Sequence, residues 1–239
     1  MSIQTRAIDY AHAGAALEGY FAYDDRRAQP LPAVLIAHAW GGRDEFVCAK
    51  AQKLAELGYA AMALDMYGKG VLGSGPEENG KLMQPFMADR ALLQSRMLAA
   101  LDALRLQPEV DSKRIAAFGF CFGGLCVLDL ARTGADLRGV VSFHGLFVPP
   151  GNTGGRHIKA KVLALHGFDD PMAPPEQVVA LGRELTEAGA DWQIHAYGNT
   201  VHAFTNPAAN DRSFGTVYDE TADRRSWQSL KEFLAEVLN

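Results

Sequence analysis

Short, continuous apolar runs alternate along this chain with longer stretches whose apolar positions recur every three or four residues. The runs are Ala33–Ala37, Tyr59–Leu64, Arg114–Phe118, Gly139–Phe143 and Lys161–Leu165, while Trp192–Tyr197, interrupted by Gln193 and His195, reads as a final strand. Runs of this length, apolar at consecutive positions, are expected of strands buried on both faces. The helically spaced stretches are Phe46–Leu57, closed by Gly58, then Asp89–Leu106, the segment after Gly124, Pro175–Ala188 and Asp223–Leu238. Residues 3–10 alternate as an edge strand does; Gly14 breaks them and Ala16–Tyr23 can return as a hairpin partner. The Gly-rich stretch Gly68–Gly80 reads as a loop and a rim for a cleft. Strands alternating with helices predict an α/β fold with a mostly parallel sheet covered on both faces and no separate lid domain. The 239 residues suit one domain spanning 1–239.

Ligands of such sheets bind beyond the carboxyl ends of the strands. Five segments fall there: His38–Gly42, Asp65–Gly70, Cys121, His166–Pro174 and Asn199–Pro207. Cys121 stands out among them. Gly119-Phe120-Cys121-Phe122-Gly123-Gly124 joins a strand to an apolar helix through a turn that needs small flanking residues. This is the nucleophile elbow, with sulfur where Ser is commoner. Such a turn exposes one reactive atom and aims the first helical amides, that of Phe122 included, at the same point.

A thiol attacks as the thiolate, and a neighbouring imidazole or helix start lowers its pKa. A carboxylate then fixes the tautomer of that imidazole. The chain order expected is nucleophile, acid, histidine. Asp169 and Asp170 both follow the Lys161–Leu165 strand and compete for the acid role, Asp169 being equally suited to bracing the turn. His202, in the loop before the last helix, is the expected base. His195 lies within a strand, His166 and His144 end strands as core or supporting residues, and His12 and His157 lie in loops without an evident partner. An acyl-transfer site also needs donors for a developing oxyanion. The amides of Phe122 and Trp40 are expected to supply them, Gly41 and Gly42 letting the second backbone come close.

Composition narrows the class. The formal net charge of −5, without a Lys/Arg cluster, argues against a nucleic-acid surface. Cys48, Cys121 and Cys126 form no CxxC pair, which points to a reducing compartment and to no structural zinc. No hydrophobic leader or membrane-length run is visible, so a cytoplasmic location without membrane association is the expectation.

With these segments in view the chain resembles the dienelactone hydrolase family, a Cys-dependent branch of the α/β-hydrolases. The resemblance rests on the elbow, on Gly167-Phe168-Asp169-Asp170-Pro171-Met172-Ala173-Pro174, on Tyr197-Gly198-Asn199-Thr200-Val201-His202-Ala203-Phe204 and on Asp65-Met66-Tyr67-Gly68. It implies the α/β-hydrolase fold, a triad of Cys121, Asp170 and His202, oxyanion amides at Trp40 and Phe122, and no cofactor. The implied reaction is hydrolysis of a carboxylic ester or lactone through an acyl-thioester. Two positions depart from the family's lactonases: a Glu beside the nucleophile is Ala39 here, and a carboxylate-binding Arg four residues after the triad His is Asn206. Both departures count against dienelactone itself as substrate.

The expected partner is a small-molecule ester or lactone, with the chain as monomer or homodimer. Trp40, Lys69, Phe168 and Phe204 are the expected substrate contacts, Lys69 for an anionic group and the aromatics for an apolar one. Two other readings remain at this level: a non-hydrolytic small-molecule-binding protein, and a thiol redox protein, for which Cys126 is the nearest second thiol.

Overall fold

A computed structural model describes residues 2–239. Its centre is an eight-stranded sheet in the order β1-β2-β4-β3-β5-β6-β7-β8. The strands are β1 (Ile3–His12), β2 (Ala15–Asp24), β3 (Leu31–Ala37), β4 (Ala60–Ala63), β5 (Val110–Phe120), β6 (Gly139–Phe143), β7 (Lys161–Gly167) and β8 (Trp192–Tyr197). β1 and β2 form the antiparallel edge hairpin, and from β4 to β8 every pairing is parallel.

The helices are α1 (Glu45–Glu56), α2 (Pro76–Ala88), α3 (Arg90–Arg105), α4 (Phe122–Arg132), α5 (Pro175–Glu187) and α6 (Glu220–Leu238). Successive residues of β3 serve opposite faces. Leu35 joins the core under Leu93, Met97 and Leu101 of α3 and Leu125 of α4, while Val34 and Ile36 join the core under Val47 and Leu54 of α1 and Leu230 and Leu234 of α6. That two-sided burial makes the strand sequences continuously apolar. Each such side chain contributes about 1.5–3 kcal/mol on burial, so the helices are held chiefly by these contacts.

Helix ends follow the local chemistry. The Asp44 carboxylate caps α1 by accepting from the Val47 amide at 3.2 Å, and Gly58 follows its end at φ +99°. Asp219 caps α6 in the same way through the Ala222 amide at 2.7 Å, so α6 starts at Glu220 rather than at Asp223.

The Gly68–Gly80 stretch is not a loop throughout. α2 begins at Pro76, where the fixed φ of proline suits the first helical position, and it continues past Gly80. Its apolar residues pack inward, with the buried Phe86 against Tyr67 and Phe122. Two further short strands, β9 (Asn210–Asp211) and β10 (Thr216–Val217), form a hairpin that the sequence pattern does not announce. No helix of the described residues is long and apolar enough to cross a membrane.

Candidate functional site

The elbow is built by contacts too close for any side chain. A Cβ on Gly119 would lie 2.2 Å from the Gly123 carbonyl oxygen, and one on Gly123 would lie 2.2 Å from the Ala37 carbonyl oxygen. The start of α4 therefore packs backbone to backbone on β5 and β3. Cys121 itself sits at φ 56° and ψ −116°, outside the regions that L-residues prefer. It is half-buried and opens into a cavity of about 250 Å³. Phe122 is the first residue of α4, so its amide has no acceptor within the helix.

The acid loop and the histidine loop meet where Gly167 ends β7. A Cβ there would lie 2.6 Å from the carbonyl oxygens of both Thr200 and Val201. This approach brings Asp170 Oδ2 to 2.7 Å from His202 Nδ1, with both side chains buried. The other carboxylate oxygen, Oδ1, accepts from the Met172 amide at 2.8 Å. Asp169 is exposed, its amide bonded to the Thr200 carbonyl. Of the two competing carboxylates, Asp170 is thus the one that the structure pairs with the histidine.

The short hairpin holds His202 from behind. The His202 amide donates to the Gly215 carbonyl at 3.0 Å, and the His202 carbonyl accepts from the Val217 amide at 3.1 Å. The buried Nε2 of His202 has no hydrogen-bond partner among the described residues, and the Cys121 sulfur is its neighbour. Burial disfavours a charged ring. A thiolate at Cys121 and the Asp170 carboxylate outweigh burial and raise the His202 pKa to about 10.

His144, from the end of β6, is also part of this site. It is buried at φ 36°, lines the cavity and bonds Thr205 Oγ1 through Nε2 at 2.8 Å. Its ring stands edge-on to those of His202 and Phe204, each at 5.1 Å. Burial and the nearby His202 charge push its pKa well below the ordinary value, so it stays neutral beside the pair.

Trp40 lines the cavity and stacks on Phe214 of the hairpin turn, ring centroids 6.0 Å apart. Three expected substrate contacts lie elsewhere. The Lys69 ammonium is bound by Asp9 at 2.9 Å and Glu18 at 2.8 Å, out of the cavity lining, because the β1–β2 hairpin brings two carboxylates to it. Phe168 is 48% exposed on the outside of the acid loop. Phe204 is fully buried behind the wall, against His144 and Tyr197. The walls are instead Phe46, Phe120, Met83, Leu146, Met172 and Phe214, with Asn206 among the polar lining residues. The lining contains no Lys or Arg, and apart from the histidines its one titratable oxygen acid is the α1 cap, Asp44.

Sequence reasoning passed over Phe214 and Met83 because neither lies in a segment to which it assigned an element or a role. It also passed over His38, although this residue ends the buried run of β3 in a segment flagged for chemistry. The remaining thiols are unsuited to partner Cys121: Cys126 is fully buried, with its pKa pushed well above the ordinary value by that burial, and Cys48 lies against the Arg43 guanidinium.

The dienelactone hydrolase family model matches residues 17–238. The chain belongs to the dienelactone hydrolase family. Membership places it among ester- and lactone-cleaving hydrolases, with the α/β-hydrolase fold, which sets aside the reading as a non-hydrolytic binding protein. A dienelactone hydrolase-like promiscuous phosphotriesterase from metagenomic libraries is 38% identical over the whole of both chains, with a TM-score of 0.93. An uncharacterised protein of Caenorhabditis elegans is 37% identical over 147 residues, 60% of this chain and 93% of that one. A putative carboxymethylenebutenolidase of Aquifex aeolicus is 25% identical over 97% of this chain and 98% of its own length.

Proposed function

We propose that this dienelactone hydrolase-family protein cleaves uncharged carboxylic esters or lactones through a Cys121–His202–Asp170 triad and an acyl-thioester. The observation that carries the reading is the buried 2.7 Å contact between His202 and Asp170, opening with the strained Cys121 elbow onto one apolar cavity.

His202 takes the thiol proton on Nε2, and Asp170 holds its Nδ1–H and supports the resulting imidazolium. The thiolate adds to the substrate carbonyl. The amides of Trp40 and Phe122 receive the oxyanion, a contribution of about a hundred- to a thousandfold per donor. The carbon–oxygen bond to the leaving group breaks, and that oxygen takes the proton from Nε2. Water then gives a proton to the same nitrogen and adds to the thioester. The carbon–sulfur bond breaks, the acid leaves, and the thiol is restored. Ala39, in place of a family Glu, leaves His202 as the group that activates the thiol.

The substrate class follows from the walls. A cavity lined by no Lys or Arg, whose His202 is already paired with Asp170, offers a substrate carboxylate no free cation to offset its lost hydration, whereas uncharged acyl and alkyl groups gain from burial. The test is a steady-state screen of p-nitrophenyl esters and of lactones with and without a free carboxylate. Turnover of the uncharged set, abolished in Cys121→Ala, is expected. Retained turnover in that variant removes the nucleophile, and preference for the carboxylate-bearing set removes the substrate class.

A second reading, additional turnover of neutral phosphotriesters, is favoured by the full-length likeness to the promiscuous phosphotriesterase together with a cavity walled mainly by apolar side chains. Release of p-nitrophenol from diethyl p-nitrophenyl phosphate by the wild type, and none by Cys121→Ala, is the expected result.

A further inference from the structure

The peptide group joining Ala39 to Trp40 carries the proposed oxyanion donor, the Trp40 N–H, at one end. Its other end is the Ala39 carbonyl, and that oxygen lies 2.6 Å from Nδ1 of His38. A carbonyl only accepts, so Nδ1 carries a proton. The second ring nitrogen, Nε2, lies 3.2 Å from the Met66 amide. An amide N–H only donates, so Nε2 is bare. The two partners fix one neutral tautomer, and burial of the ring, which lowers the His38 pKa below its ordinary value, keeps it neutral.

The partners of this ring are themselves held. The Met66 carbonyl accepts from Arg96 at 2.7 Å, and Asp65 exchanges two backbone hydrogen bonds with the Tyr10 hydroxyl, at 2.7 and 2.9 Å. Asp65 Oδ1 accepts from the Tyr67 and Gly68 amides, each at 2.9 Å. Tyr67 in turn donates its hydroxyl to the Trp40 carbonyl at 2.9 Å, and its ring stands edge-on to His38 at 4.9 Å. Two consecutive peptides of the loop after β3 are therefore clamped from the turn after β4, the neighbouring strand.

We propose that His38 is a positioning residue for acyl transfer, its Nδ1–H holding the Ala39–Trp40 peptide so that the Trp40 N–H points at the oxyanion. In a trans peptide the C=O and N–H point in opposite directions, so a donor fixed on the oxygen sets the direction of the N–H. Hydrogen bonding at the oxygen also polarises the amide and makes its N–H a stronger donor. The inference rests on the function proposed above and on Trp40 as an oxyanion donor within it.

Two variants separate this role from a structural one, because each keeps half of the imidazole's bonding. His38→Asn places an N–H near the Nδ1 position, toward the Ala39 carbonyl, and leaves the Met66 amide unpaired. His38→Gln reaches the Nε2 position and can accept from the Met66 amide, but leaves the Ala39 carbonyl only the longer bond from the Gly42 amide, at 3.2 Å. Each is measured for p-nitrophenyl ester turnover and for the rate at which iodoacetamide alkylates Cys121. Alkylation forms the sulfur–carbon bond as iodide departs from a saturated carbon and develops no oxyanion.

In His38→Gln, kcat is expected to fall about ten- to a hundredfold, less than loss of a whole donor, with KM within threefold and alkylation near the wild-type rate. His38→Asn is expected to recover at least tenfold of a hundredfold loss, or most of a smaller one. Wild-type kcat in His38→Gln, a lower kcat in Asn than in Gln, or alkylation falling in parallel with turnover overturns the inference. If the wild type itself turns over no ester, or Cys121→Ala retains turnover, the proposed function fails and this inference with it. Full turnover in His38→Gln beside an inactive Cys121→Ala overturns the inference alone.

Discussion

Replacing Asp170 by Asn tests the acid with little change of shape. The two carboxylate oxygens have separate duties: Oδ1 accepts from the Met172 amide, and Oδ2 accepts from His202 Nδ1. An Asn that keeps its oxygen on Met172 must put its NH2 group where Oδ2 was. That group presents a donor to Nδ1, so Nδ1 must carry the lone pair and the ring proton moves to Nε2, facing Cys121. The ring is then in the wrong tautomer to take the thiol proton, and the buried charge that supports the imidazolium is gone. A triad with its carboxylate neutralised in this way loses about 10⁴ in kcat, which is about 5.5 kcal/mol at 1.36 kcal/mol per decade. With the Met172 bond retained, the fold should persist. The assay is steady-state hydrolysis of p-nitrophenyl acetate at pH 7.5, with thermal denaturation as the control for folding. A kcat within tenfold of wild type would refute the reasoning. Asp169→Asn, at an exposed carboxylate, is the companion control and should leave kcat within twofold.

Three further outcomes are expected. In wild type the His202 imidazolium should persist until pH rises through about 10; in Cys121→Ser, with the sulfur's charge removed, imidazole NMR should show the ring losing its proton at a distinctly lower pH, and an unchanged His202 titration would contradict the part given to Cys121. Gly123→Ala, whose methyl would meet the Ala37 carbonyl oxygen at 2.2 Å, should lose at least about 1–3 kcal/mol as an overpacked site does, read as a melting temperature lower by about 2–4 °C per kcal/mol. Phe214→Ala removes one ring of the stack with Trp40 at the cavity wall, and should raise the kcat/KM ratio of octanoate over acetate esters by about tenfold, a scale set by pocket contacts of a few methylenes.

The sheet was legible because burial on both faces leaves the strands with no polar alternation: Val34, Leu35 and Ile36 are all apolar since each faces one core or the other. The elbow was legible because its glycines answer backbone contacts that no side chain could survive. Asp170 was favoured over Asp169 only through the family resemblance, since both sit in the same turn; the approach of Gly167 to Thr200 and Val201 is what brings Asp170 to His202. α2 was hidden by Gly75, Pro76, Gly80 and Pro85, residues that punctuate most chains yet are tolerated at or near a helix start or under tertiary packing. The cavity walls were hidden for a different reason. Phe214 lies in a hairpin whose strands have two residues each, too short to carry an alternation, while Phe168 and Phe204 lie in a recognised segment but face solvent and core. Lys69 was read without its partners, because Asp9 and Glu18 reach it only through the pairing of β1 with β2.

The central claim is a covalent bond to one sulfur. Wild-type protein mixed with a p-nitrophenyl ester, quenched in acid within the first turnovers and weighed intact, should gain the mass of one acyl group, and peptide mapping should place it on Cys121. Steady hydrolysis with no such adduct at any quench time, or an adduct on another residue that survives Cys121→Ala, would contradict the account.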